Sequence, residues 1–145
     1  MAVYDLQKDV WDTLPPYSCS LFAMISVNNQ LILIGGRDEI ERERCAVVSA
    51  WNEETKSWTL NAFPPMPTAR VSPTAVYYGE WLVVIAGRLK SCYAKLSEVE
   101  ILDTALGQWY CAAPLPQPHS SASPVIVGNT CYVLAGWLCS ESHCI

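Results

Sequence analysis

The densest group of metal-ligating residue types in the sequence lies at its end, in CSESHC, where Cys139, His143 and Cys144 stand close together. Thiolates and imidazole suit zinc, but a closed site takes four ligands, usually in paired spacing. No fourth ligand is near and no CxxC occurs among the seven cysteines, so the tail reads as free thiols. A second suggestive stretch is IGGRDE, around Gly35-Gly36. A phosphate cradle would need GxxxxGK[ST] or GxGxxG feeding a helix, whereas this glycine pair runs into a charged loop. GxSxG and HExxH are missing, and there are only two histidines, His119 and His143. The acid pairs Asp38-Glu39 and Glu53-Glu54 sit in segments that read as loops and turns, where charges are solvated. Catalysis is left without parts, and neither a cofactor nor a metal is expected.

The remaining residues must therefore build a scaffold, and composition bounds its kind. Of 145 residues 51% are apolar and 16% charged, against roughly 25% charged in an average soluble domain. With six Trp and seven Tyr the chain has ample apolar surface to fold as one domain. A net charge of −5 without a basic run argues against nucleic acid and against an anionic membrane surface. The longest apolar windows, 21–27 and 31–34, are interrupted by Asn28, Asn29 and Gln30, far short of the ~20 residues of a spanning helix. The opening MAVYDLQKDVW carries acids and lacks an apolar h-region, so the expected location is cytoplasmic.

Self-similarity organises the chain. LILIGG ends at Gly36, LVVIAG at Gly87 and CYVLAG at Gly136, spaced 51 and 49 residues apart. Trp11 before LPP, Trp58 before FPPMP and Trp109 before PLP recur in phase, and Asp5, Asn52 and Asp103 each stand six residues ahead of a tryptophan. Each glycine-ended run is preceded by another apolar run across Asn28-Asn29, Gly79-Glu80 or Gly128-Asn129. These dipeptides accept the positive φ of tight hairpin turns, so each pair of runs reads as a β-hairpin. The runs are apolar almost throughout, which predicts cover on both faces. A polar loop follows each glycine, then a third strand such as AVVSAW or EVEIL, an Asp or Asn turn, and a fourth strand at the tryptophan.

This unit resembles the kelch repeat, four short antiparallel strands with a glycine pair after the second. Gly35-Gly36 and the spaced pairs Asp5/Trp11, Asn52/Trp58 and Asp103/Trp109 carry the resemblance, while Ala86-Gly87 and Ala135-Gly136 depart from it. The resemblance implies an all-β fold of antiparallel four-stranded blades, an incomplete kelch-type β-propeller of about three repeats. Its parts are a half blade over 1–17 (third and fourth strands, opening at Val3 to Leu6), blades over 18–67 and 68–117, a half blade over 118–137 (first and second strands), and a tail over 138–145. Propellers close with ~4 to 8 blades, so missing blades in a longer chain, or a homo-oligomer in which two copies complete each other, are both expected. Open blade edges template strand pairing, and the isolated chain is expected to self-associate.

In kelch propellers that recruit proteins, the loops entering the first strand and those leaving the second line one rim. By repeat phase that rim takes Cys19, Arg70 and His119 from the entering side and Arg37, Asp38 and Arg88 from the leaving side. An arginine can fork onto a partner's carboxylates, which implies a protein ligand of acidic character. Trp11, Trp58 and Trp109 are assigned to packing between blades. The function implied is protein–protein interaction, as the substrate-recruiting or scaffold part of a larger protein such as a ubiquitin ligase adaptor. Two alternatives stand beside it. One is a copper oxidase of the galactose oxidase type, which needs clustered Tyr and His ligands where this chain has one internal histidine, His119. The other is a self-associating structural protein.

Overall fold

The computed structural model describes residues 1–89, 94–134 and 136–138; the tail cysteines, His143 and Ala135 lie outside the described residues. Among the described residues every element is a strand. The N-terminal hairpin joins β1 (Ala2–Asp5) to β2 (Val10–Thr13), so the third-type strand starts and stops a residue earlier than the sequence pattern suggests. The first full blade is made of β4 (Ala23–Val27), β5 (Gln30–Ile34), β7 (Val48–Asn52) and β8 (Ser57–Phe63), hydrogen-bonded in that order. The second blade repeats the pattern with β9 (Thr74–Tyr78), β10 (Trp81–Ile85), β11 (Val99–Asp103) and β12 (Gln108–Ala112). A C-terminal hairpin of β14 (Ser123–Val127) and β15 (Thr130–Leu134) repeats its first two strands. The propeller is partial and not closed.

Short strands absent from the four-stranded scheme close each repeat on itself at one end. β3 (Cys19–Ser20) pairs with β6 (Arg37–Asp38), and β13 (His119–Ser120) with β16 (Trp137–Leu138). In the second blade the same link is a single bridge, Val71 to Arg88. The segment entering the first strand is thus tied each time to the segment leaving the second.

The core lies between the blades. Ile32, Leu33 and Ile34 are consecutive and fully buried, which a strand achieves only when both its faces are covered. Ile32 and Ile34 share one apolar cluster with Leu82, Val84 and Leu102 of the next blade. The first strands β4, β9 and β14 lie side by side in series. Cover on both faces fails at the last hairpin, where Tyr132 is 49% and Leu134 61% exposed, because no described blade stands beyond it.

Geometry explains the punctuation after each second strand. The first position of the doublet is left-handed, with φ +64° at Gly35 and +58° at Ala86, a region an alanine can enter at a cost. At the second position Gly36, Gly87 and Gly136 have φ near +105° (104°, 107° and 105°). A Cβ on Gly36 would lie 2.5 Å from the Ser20 carbonyl oxygen. Alanine therefore replaces the first residue of the pair and not the second.

The tryptophans connect neighbouring repeats through prolines. Trp109 Nε1 donates to the Pro64 carbonyl at 2.9 Å, and Trp58 Nε1 reaches the Pro15 carbonyl at 3.5 Å. Trp11 is 71% exposed, its ring 5.0 Å from that of Tyr4 in the same hairpin.

Candidate functional site: the rim of the blades

Backbone hydrogen bonds build the rim with the period of the repeat. Gly36 N–H donates to the Arg70 carbonyl and Gly87 N–H to the His119 carbonyl, both at 3.0 Å. Arg70 N–H donates in turn to Cys45 O at 3.2 Å and His119 N–H to Leu96 O at 3.1 Å. Arg70 and His119 thus occupy equivalent joints, each sewing its repeat to the loop of the one before.

Their side chains do different things from those the sequence suggests. Arg70 is wholly buried. Its Nη2 lies 2.8 Å from Glu100 Oε2, which is itself 3% exposed, and its Nη1 donates to Ala86 O at 2.8 Å and Glu98 O at 3.0 Å. Thr68 Oγ1 donates to the other Glu100 oxygen at 2.6 Å. Burial pushes the guanidinium down from its ordinary value and the neighbouring Glu100 and Glu98 carboxylates pull it back up. The assignment of Arg70 to a partner's carboxylate is corrected: its charge is consumed inside the blade, holding two loops together. Cys19 is also buried, at 8% exposure, and does not line an open surface. His119 is half-buried, with Nδ1 enclosed.

The leaving-side residues stay near solvent. Arg37 is 37% exposed and 3.8 Å from Glu39, and Arg88 is half-buried. The carboxylate of Asp38 accepts the N–H groups of Ile40 at 2.8 Å and Glu41 at 2.7 Å. It is a turn-former for the loop 37–44 more than a group offered to a partner. That turn lifts Ile40 to 88% exposure, flanked by Arg42 and Arg44. Five of the nine basic residues of an otherwise acidic chain, Arg37, Arg42, Arg44, Arg88 and Lys95, lie in these described leaving loops.

Glu100, Ile40 and Cys45 escaped the sequence reading, although the first had a signal. Aligning the repeats at a spacing of 51 sets Thr68, Arg70 and Glu100 on Tyr17, Cys19 and Ser49. In the first blade Tyr17 OH lies 2.8 Å from Ser49 Oγ, the neutral counterpart of Thr68 on Glu100. A carboxylate in a strand position held elsewhere by serine implies a buried cation. Among the described residues no group of three or more His, Cys, Asp or Glu could hold a metal ion.

Two four-stranded blades in tandem, flanked by half blades and joined at one rim by repeated hydrogen bonds, define a repeat-built β-scaffold of the propeller class. Residues 18–60, most of the first full blade, match the Kelch motif. Over 139 residues the chain is 25% identical to alpha-scruin of Limulus polyphemus, an alignment that takes in 92% of this chain and 15% of that relative. The chain is thus similar to kelch-repeat proteins, and it spans about 15% of the length of the curated relative it matches.

Proposed function

We propose that the chain is a non-enzymatic protein-interaction module whose partner surface is the leaving-loop rim, centred on residues 37–44 with Arg88 and Lys95 beside it. The observation that carries this is the 88% exposure of Ile40 at the tip of a loop of alternating charge, with Arg37, Arg42 and Arg44 set among Asp38, Glu39, Glu41 and Glu43. An apolar anchor in a loop of alternating charge suits a partner with a shallow apolar pocket and a rim carrying both signs of charge. Glu39 lies within reach of Arg37 and Arg42 and the loop carries no net positive charge, so the ligand is a protein surface and not a polyanion. In a larger protein this module recruits a substrate or organises a scaffold, in the manner of a ubiquitin ligase adaptor, working in the cytoplasm.

The test is affinity capture with wild type and with Ile40→Asp and Arg37→Ala/Arg42→Ala, scored by quantitative mass spectrometry. Proteins that depend on the rim disappear with both variants while the unfolding midpoint stays within error of wild type. Identical capture by all three proteins would refute the rim assignment.

A second reading, self-association, is favoured by a separate observation. The N-terminal hairpin exposes Val10 and Trp11 at 50% and 71%, and the C-terminal hairpin exposes Val127 and Leu134 at 62% and 61%. One hairpin supplies third and fourth strands and the other first and second, so two copies hold the halves of a blade between them.

A further inference from the structure

The geometry points to a redox site that the interaction reading does not use: we propose that Cys19 and Cys45 form a reversible disulfide clamping the base of the loop 37–44. Their sulfurs lie 3.0 Å apart, so about 1 Å of approach reaches the ~2.05 Å of a disulfide bond. Both residues are fixed by backbone on opposite sides of one ribbon. Cys19 pairs with Asp38 through β3 and β6. Cys45 follows the Arg37–Arg44 bridge, and its N–H donates to Gly36 O at 2.8 Å. The sulfurs thus come into contact from the two segments that flank β6, and closing the bond draws those segments together.

The pair belongs to one repeat. Fifty-one residues on, the same two positions hold Arg70 and Leu96, where the buried ion pair of Arg70 with Glu100 fastens the corresponding loops. The two pairs share only the position of Cys19 and Arg70, since the counterpart of Glu100 is Ser49, and the thiol pair can be opened and closed by solution chemistry.

The half-buried Cys45 thiol is the accessible partner, Cys19 being enclosed. Its thiolate attacks a low-molecular-weight disulfide such as oxidised glutathione, forming a mixed disulfide and expelling one small thiol. Cys19 then attacks Cys45 Sγ and expels the second small thiol. Two thiols are oxidised, one small disulfide is reduced to two small thiols, and both protons leave on those thiols. Burial, the Cys19 thiol and the nearby Asp38 push the Cys45 thiol up to about 12. Thiolate is therefore scarce near neutrality and the exchange is slow, so the reaction is read at equilibrium.

The experiment equilibrates the chain in reduced and oxidised glutathione at graded ratios, quenches with acid, alkylates and maps tryptic peptides. The expected result is a linked peptide pair carrying Cys19 and Cys45, lighter by two hydrogens than its reduced parts. It rises as the buffer becomes oxidising and returns to separate alkylated peptides on reduction. In Cys19→Ser the link is lost and Cys45 is recovered as its glutathione adduct. Wild-type Cys19 and Cys45 found separately alkylated across the whole series would overturn the proposal, whether or not the serine variants fold. Partner capture does not enter the readout, so its failure is independent of the failure of the interaction reading.

Discussion

The Arg70–Glu100 pair offers the sharpest test of the rim's construction. Arg70→Ala leaves Glu100 almost fully buried with only the Thr68 hydroxyl on it, and leaves the carbonyls of Ala86 and Glu98 without their donor. Removing one partner of a buried pair costs about 3–5 kcal/mol, a large part of the ~5–15 kcal/mol that holds a domain folded. Glu100→Gln is expected in the same range, since it strands the guanidinium. The double variant Arg70→Met/Glu100→Leu removes both charges and refills the volume. It forfeits only the donors to the two carbonyls, about 1–3 kcal/mol, and so ends above either single variant. The first blade already runs without this pair, using Tyr17 on Ser49 at the equivalent place. The assay is urea unfolding followed by tryptophan fluorescence, with a shared slope across variants. An Arg70→Ala cost under about 1 kcal/mol would mean a solvent-screened pair and refute the argument. Additive single effects in the double variant would do the same.

Three further outcomes are expected. Gly36→Ala, forced to φ +104° with its Cβ 2.5 Å from Ser20 O, is expected to lose about 1–3 kcal/mol or more, whereas Ala86→Gly stays near neutral; thermal denaturation of the two variants separates them. Trp109→Phe keeps an aromatic body but drops the bond to Pro64, a loss of about 1 kcal/mol, while Trp11→Phe at 71% exposure stays within about 0.5 kcal/mol in the same unfolding experiment. Sedimentation velocity on the isolated chain is expected to show concentration-dependent mass that Trp11→Lys or Val127→Lys reduces; a monodisperse monomer at all concentrations would rule self-association out.

The repeat was legible because backbone constraints leave marks on the sequence at fixed spacing. Gly36, Gly87 and Gly136 share one unusual φ, and Asp5, Asn52 and Asp103 each accept the two N–H groups that follow in the turn. Side-chain direction leaves no such mark. Phase placed Arg70 at the rim, where its backbone does lie, but not whether its guanidinium faces outward or inward toward Glu100. Likewise Asp38 was visible as a loop charge, yet its role in lifting Ile40 depends on which donors its carboxylate meets. The Cys19–Cys45 contact joins residues 26 apart through a pairing of two-residue strands, too short to show a period of their own.

The indole bonds have a bearing on how such chains grow and shrink. Both full repeats hand a tryptophan N–H back to a proline carbonyl of the one before, Trp58 to Pro15 and Trp109 to Pro64, so the first of them both gives and receives such a bond. A repeat thus has a plug at one side and a socket at the other, both of one pattern. Duplicating or deleting a segment of one whole period leaves every plug facing a socket, wherever in the unit the cuts fall. A change of half a period does not. Copy number in this architecture is free to drift in whole units under recombination, with the nearest-neighbour contacts that stabilise it renewed at every step.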